Sequence, residues 1–163
     1  MEYNEHNKKP RRTFTMKEAK VKAADFCAYQ ERTQQQVRDK LYEYGLYQDE
    51  VEDVLTDLIT DGFINEERFA KSYVGGKFRM KKWGRVKIMQ GLKQHRLSDY
   101  CIKKGMEEIE ESDYLEALHH IIDKKDAALN ETNMFIRKRK IANHAIQKGY
   151  EAELVWDILR DMA

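Results

Sequence analysis

The densest concentration of chemically useful side chains lies between residues 77 and 104. Lys77, Arg79, Lys81, Lys82, Arg85, Lys87, Lys93, Arg96, Lys103 and Lys104 fall there with Asp99 as the only acid. Cations at this density attract phosphates by releasing condensed counterions, and the interleaved Phe78 and Trp83 are of the type that stacks on unpaired bases. The competing reading is that these cations pair with the acidic stretches on either side. A second basic run, Arg137, Lys138, Arg139 and Lys140, is shorter. Lys138 and Lys140 stand 53 positions after Arg85 and Lys87, a spacing that recurs below.

Other chemistries find less support. His119 and Asp123 are four residues apart, and His120 adjoins them. That puts two potential metal ligands on one helix face, short of the three or four that a zinc site uses. Carboxylates cluster at Asp49, Glu50, Glu52 and Asp53 and again from Glu107 to Asp113. Runs of like charge on helices are ordinarily solvated faces, and acid–base catalysis needs two carboxyls converging in a water-poor cleft. No phosphate-binding glycine loop is present, because Gly75-Gly76-Lys77 lies inside a helical pattern. No Ser/His/Asp or Cys/His constellation can be argued either. The expectation is therefore a protein without catalytic residues, metal or cofactor.

The chain has 30 Lys and Arg against 29 Asp and Glu, for a net charge of +1. That balance conceals strong segregation. Residues 1–22 carry net +4, 23–76 net −7, 77–104 net +9, 105–132 net −7 and 133–163 net +2. The near-zero total argues against indiscriminate coating of DNA, while the blocks suit a surface that presents both protein and phosphate. No apolar run approaches the ~20 residues that span a bilayer, and the polar start is unlike a secretory signal. Cys27 and Cys101 lack metal-ligand or redox spacing, which fits buried thiols in a reduced cytoplasm.

The elements that must position these side chains are legible as a repeat. Val51, Val54, Leu55 and Leu58 form the i, i+3, i+4, i+7 stripe of an amphipathic helix. Shifted by 51, the stripe reads Ile102, Gly105, Met106, Ile109; shifted by a further 53, it reads Val155, Ile158, Leu159, Met162. All but Gly105 are apolar side chains. Val37, Leu41 and Leu46 map by the same offsets onto Ile88, Leu92 and Leu97, then onto Ile141, Ala145 and Tyr150. An earlier helix precedes each pair, over about 16–30, 66–80 and 114–129. Gly45 and Gly149 suit the left-handed residue that closes a helix, where the middle copy has Arg96. Thr33 with Gln36 has capping-box spacing, and Ser98 and Ser112 suit N-caps. With one proline in 163 residues, the chain is expected to be all-α. It reads as three tandem three-helix, helix-turn-helix-like repeats in an elongated series, straight or curved, each buried partly against its neighbours. The expected boundaries are a flexible basic N-terminal arm over 1–15, then repeats over 16–64, 65–111 and 112–163. The third helices are acidic, which disfavours their insertion into a DNA groove for base reading.

Within this frame, the run from Leu58 to Ala70, LITDGFINEERFA, resembles the pattern L-x-x-x-G-[YF]-[IL]-[DN]-[DE]-x-R-F-A, with Tyr73 following at the matching distance. The run from Lys81 to Ile88, KKWGRVKI, resembles K-x-x-G-x-x-x-I, and Leu92 continues it. Both patterns are those of the regulatory protein RecX family, and the likeness extends from Ala19 to Met162. One departure is His95-Arg96-Leu97, where the family pattern has a helix-ending glycine. The physical roles available to Gly62, Phe63, Ile64, Arg68, Phe69, Ala70 and Gly84 are mainly structural: closing one helix, capping the next and packing the junction between modules.

The resemblance implies a cytoplasmic, monomeric modulator of the recombinase RecA, active in homologous recombination, DNA repair and the SOS response. Such a protein binds the RecA–single-stranded DNA filament and inhibits RecA ATPase, strand exchange and co-protease activity. The expected contacts are Lys77, Arg79, Lys81, Lys82, Arg85 and Lys87, with Arg137, Lys138, Arg139 and Lys140 as a second patch. The alternative is a helical nucleic-acid-binding module without a RecA target.

Overall fold

A computed structural model describes residues 14–162, and the basic arm expected over 1–15 lies almost wholly outside them. The described residues form helices joined by short turns, in the order α1 (Met16–Tyr29), α2 (Gln34–Glu43), α3 (Gln48–Thr60), α4 (Glu66–Lys81), α5 (Arg85–Gln94), α6 (Asp99–Met106), α7 (Glu111–Ala128), α8 (Met134–Gln147) and α9 (Ala152–Arg160). No strand occurs among the described residues, so the fold is all-α. The chain divides into two compact units, Met1–Phe69 and Ala70–Ala163, and the division falls inside α4.

In the first unit, α1, α2 and α3 enclose a core of Ala19, Ala23, Cys27, Val37, Leu41, Leu46, Val51, Val54, Leu55, Leu58 and Ile64. Every member of the Val51–Leu58 stripe is buried. Burying a leucine or valine contributes roughly 1.5–3 kcal/mol, so the stripe alone fixes which face of α3 turns inward. Thr33 caps α2 as its spacing predicts: its hydroxyl accepts from the Gln36 amide while the Gln36 side chain accepts from the Thr33 amide.

The second unit holds α5 to α9 and most of α4, and its buried residues include Ala70 and Val74 on α4, Ile88 and Leu92 on α5, Leu118 and Ile122 on α7, Ile141 and Ala145 on α8, and Val155 and Leu159 on α9. Gly105, the exception in the apolar stripe, is where α6 meets α4. A β-carbon there would lie 2.8 Å from the Ala70 β-carbon, so the contact requires the smallest residue. Ser98 caps α6 by accepting from the Cys101 amide at 3.2 Å. Ser112 does not cap α7, which begins one residue earlier at Glu111.

Three helices end in the same way. Gly45, Gly62 and Gly149 have φ of 89°, 82° and 101°. In each case the next amide reaches back five residues, from Leu46 to the Leu41 carbonyl, Phe63 to Leu58 and Tyr150 to Ala145. These are the bonds of a Schellman cap. Arg96 takes the equivalent place after α5 with φ of 56°, so the turn keeps its left-handed residue without its glycine.

Candidate nucleic-acid interface

The basic block divides sharply once it is folded. Lys77, Arg79 and Lys81 lie on the last turns of α4, and Lys82 ends that helix with φ of 58°. The Lys82 amide donates to the Phe78 carbonyl at 3.0 Å, and the Trp83 amide to the Lys77 carbonyl at 3.1 Å. On its other side the segment is tied to the turn after α8. The Gly84 amide donates to the Lys148 carbonyl at 2.8 Å and the Val86 amide to the Gly149 carbonyl at 2.9 Å. A β-carbon on Gly84 would fall 2.3 Å from the Gly149 carbonyl carbon, which explains the glycine of the K-x-x-G pattern.

Arg85, expected among the contact residues, is engaged internally. Its guanidinium donates to Glu151 at 3.0 Å and to Glu111, and it lies 3.8 Å from the centre of the Tyr114 ring. Burial opposes its charge, but the hydrogen bonds to Glu111 and Glu151 outweigh that and raise its pKa. Tyr114 is fully buried, donates its hydroxyl to Glu151, accepts the Arg85 amide at 3.1 Å and stacks on Tyr150 at 5.0 Å. Burial, reinforced by the Glu151 hydrogen bond, pushes the Tyr114 phenol well above its ordinary pKa. The Tyr150 hydroxyl donates in turn to the Lys82 carbonyl at 3.0 Å. Arg85 therefore joins the second and third helix triplets.

Arg137 is also engaged within the chain. It donates to the Asp126 carboxylate at 2.6 Å and to the Leu129 and Glu131 carbonyls at 3.2 and 2.7 Å, closing the loop between α7 and α8. Lys138 donates to the Met162 carbonyl at 3.1 Å and Lys140 pairs with Glu131 at 3.4 Å. Arg139 is exposed and makes no ion pair among the described residues.

Arg79, Lys81 and Lys82 are exposed and likewise unpaired with any described carboxylate. Lys77 and Lys87 turn instead to Trp83, with ammonium groups 4.8 and 4.4 Å from its ring centre. Phe78 is buried and packs 6.0 Å from Tyr114, so it is removed from any role in stacking on a base. Arg79 and Lys82 also form one wall of a cavity of about 550 Å³ whose other wall, on α7, includes Asp113, Glu116, His119, His120 and Asp123.

The motif at the start of α4 is structural in its contacts. Asn65 accepts the Arg68 amide at 2.9 Å, Ile64, Phe69 and Ala70 are buried, and Phe63 is exposed. Arg68 donates to Glu31 and to the Gly62 and Phe63 carbonyls at 3.0 and 3.4 Å, satisfying the end of α3. Sequence reasoning missed Glu66, Glu111, Tyr114 and Glu151. Two of them play one role without a shared spacing: Glu66 and Tyr114 stand 48 residues apart, off the repeat offset of 53, yet each meets the first amide of a second helix. The Gln34 amide donates to Glu66 at 3.4 Å, as the Arg85 amide does to the Tyr114 hydroxyl.

Consecutive three-helix units, with an unneutralised basic surface on the second, define a tandem-repeat all-α protein. The chain belongs to the RecX family: residues 19–58 match its first three-helix domain, residues 65–106 its second and residues 111–159 its third. The regulatory protein RecX of Bacillus mycoides is 24% identical over 147 residues, which cover 90% of this chain and 54% of that protein. That of Clostridium acetobutylicum is 28% identical over 148 residues, covering 88% and 68%. The chain thus spans about half the length of the Bacillus relatives it matches. The crystal structure of RecX from Lactobacillus salivarius superposes with a TM-score of 0.81 at 20% identity, covering 90% of this chain and 95% of that one. A second crystal structure of a regulatory protein RecX gives 0.78 at 22% identity, covering 90% and 73%. At these identities the structural likeness is one of fold. No helix among the described residues is long and apolar enough to cross a membrane.

Proposed function

We propose that this protein regulates RecA by binding the RecA–single-stranded DNA filament, and that it inhibits RecA ATPase, strand exchange and co-protease activity. It acts as a monomer in the cytoplasm, without a cofactor. Family membership supports RecA as the partner. The observation that carries the reading to particular residues is the group Arg79, Lys81 and Lys82, free of ion pairs among the described residues, beside Lys77 and Lys87, on a chain whose total charge is near zero. A filament offers both acidic protein surface and phosphate, and either is attracted to such a group. Repeated modules let several weak contacts act together, because each later contact forms at the high effective concentration set by the first. Arg85 and Arg137 are assigned to the protein's own structure, leaving Arg139 as the exposed cation of the second patch that makes no ion pair among the described residues.

The test is RecA ATPase on single-stranded DNA titrated with this protein, with co-sedimentation of filaments alongside. The expected result is inhibition that saturates as the protein enters the filament pellet. An unchanged ATPase and no co-sedimentation at stoichiometric excess would overturn the proposal.

A further inference from the structure

Trp83 lies just beyond the end of α4, between two backbone contacts. Its amide is bonded to the Lys77 carbonyl at 3.1 Å, and the next amide, of Gly84, to the Lys148 carbonyl at 2.8 Å. The indole is partly exposed, and the backbone that carries it is fixed on both sides. Lys77, six residues before it, and Lys87, four after it, converge on the ring from different helices. Their ammonium groups stand 4.8 and 4.4 Å from its centre. Neither forms an ion pair among the described residues.

Two like charges brought to one ring without a carboxylate make a site short of negative charge. The nearest backbone donors cannot supply a phosphate cradle, because the amides of Gly84, Arg85 and Val86 are spent on the Lys148 carbonyl, the Tyr114 hydroxyl and the Gly149 carbonyl. An anion here must be met by side chains. An ammonium resting on an indole is released more readily than one locked in an ion pair, since a cation–π contact in water is weak beside a charge-assisted hydrogen bond. A carboxylate partner would satisfy the lysines and leave the indole face unused. A duplex would present phosphates but no free base face. A single strand supplies both.

We infer that Trp83 is a stacking platform for an unpaired base of a single-stranded nucleic acid, with Lys77 and Lys87 placed to take the phosphates that flank it. This deepens the filament reading by naming the strand as what this part of the surface touches, and it is tested on the protein alone. The probe is a twenty-nucleotide oligothymidine, with a duplex of equal length for comparison. The protein has two tryptophans, so a Trp156→Phe background assigns the fluorescence to Trp83.

Oligothymidine is expected to quench Trp83 and the duplex to quench it far less. Trp83→Ala is expected to lower oligothymidine affinity about tenfold or more, the range seen when a stacked aromatic is lost, and Trp83→Phe to retain most of it. Lys77→Gln with Lys87→Gln is expected to flatten the slope of log affinity against log salt by about 1.4, for two phosphate contacts on a single strand. Circular dichroism confirms that each variant is folded. Equal quenching by duplex, or unchanged affinity in a folded Trp83→Ala variant and an unchanged salt slope in the lysine variant, would overturn the inference. If the unmodified protein inhibits RecA yet binds no oligothymidine by itself, the Trp83 site fails and the filament reading stands. If it binds oligothymidine through Trp83 and leaves RecA unaffected, the filament reading fails and the site stands.

Discussion

Gly84 and Gly149 meet backbone to backbone, one at the start of α5 and the other at the end of α8. A β-carbon on Gly84 would sit 2.3 Å from the Gly149 carbonyl carbon, and one on Gly149 would sit 2.4 Å from the Lys87 β-carbon. The φ at Gly84 is −79°, which any residue adopts, so the requirement at that position is for space alone. Gly84→Ala is therefore expected to push the two backbones apart and strain the hydrogen bonds to Lys148 and Gly149. The cost should be about 1–3 kcal/mol, as for other overpacked sites. Gly76→Ala is the contrasting variant. Gly76 lies inside α4, and a β-carbon there would meet nothing within 4 Å, so alanine should stabilise by about 0.5–1 kcal/mol. Denaturant unfolding of the two variants checks both signs.

The tyrosines beside this contact set an alkaline limit on stability. Burial, with a contribution from the Glu151 charge, raises the Tyr150 phenol to about 12, and Tyr114 is raised too. The folded pKa is above the unfolded value near 10, so the folded state holds the proton more tightly. The stabilisation is complete below pH 10 and is lost as pH rises towards 12. From Tyr150 alone, stability should fall by about 2 kcal/mol between about pH 9 and pH 11.5. The same comparison in Tyr150→Phe should show a shallower fall, and an identical pH profile would refute the assignment.

Arg96 offers a test at a place where the chain departs from its own repeat. Its φ of 56° is in the left-handed region that glycine adopts at the ends of α2, α3 and α8. A side chain in that region costs roughly 1–2 kcal/mol, part of which glycine returns through the greater freedom of the unfolded chain. Arg96→Gly is thus expected to raise stability by about 1 kcal/mol in denaturant melts. A loss of stability would show that the arginine side chain makes a compensating contact.

What is legible in the sequence is what depends on local pattern. The stripe from Val51 to Leu58, the cap at Thr33 and the left-handed glycines at 45 and 149 each follow from residues within a few positions of one another, and all are found as read. The basic block is legible as a count and misleading as a surface. Arg85 is cancelled by Glu111 and Glu151, which lie 26 and 66 residues away, and no spacing rule links them. Phe78 and Trp83 look alike in the sequence, as aromatics among cations. Their difference is which way α4 faces: Phe78 lies on its inward stripe with Ala70 and Val74, and Trp83 lies beyond the helix end. The missing glycine at Arg96 marks an altered position, but the left-handed backbone conformation is retained there between the buried Leu92 and Leu97.

Arg68 belongs to the motif at the start of α4, and its contacts give it a structural test. It joins Glu31 to the carbonyls of Gly62 and Phe63, and the other oxygen of Glu31 is buried with no hydrogen-bond partner. Arg68→Ala would leave that carboxylate unpaired and the end of α3 unsatisfied. The guanidinium is half exposed, so water recovers part of the loss, and the expected cost is about 1–2 kcal/mol. Arg68→Lys should recover little, because an ammonium cannot reproduce the fork that spans three acceptors. Denaturant melts of the two variants, compared with the unmodified protein, check both expectations.

The division of the basic block into free and engaged cations gives the sharpest functional contrast. Reversing Arg79, Lys81 and Lys82 to glutamate breaks no ion pair with a described carboxylate but sets two of the new acids across the cavity from Asp113, Glu116 and Asp123, so the melting temperature should fall by a salt-dependent margin smaller than that of Arg85→Ala. Filament co-sedimentation and RecA inhibition should weaken, and more so as salt falls, since reversed charge repels phosphate over a longer Debye length. Arg85→Ala should do the opposite in kind. It removes the partner of Glu111 and Glu151 at the junction around Tyr114, so it should lower the melting temperature first. Any effect on RecA should then track the fraction unfolded. If Arg85→Ala leaves stability intact and abolishes filament binding, while the triple reversal does neither, the contact surface has been placed on the wrong residues.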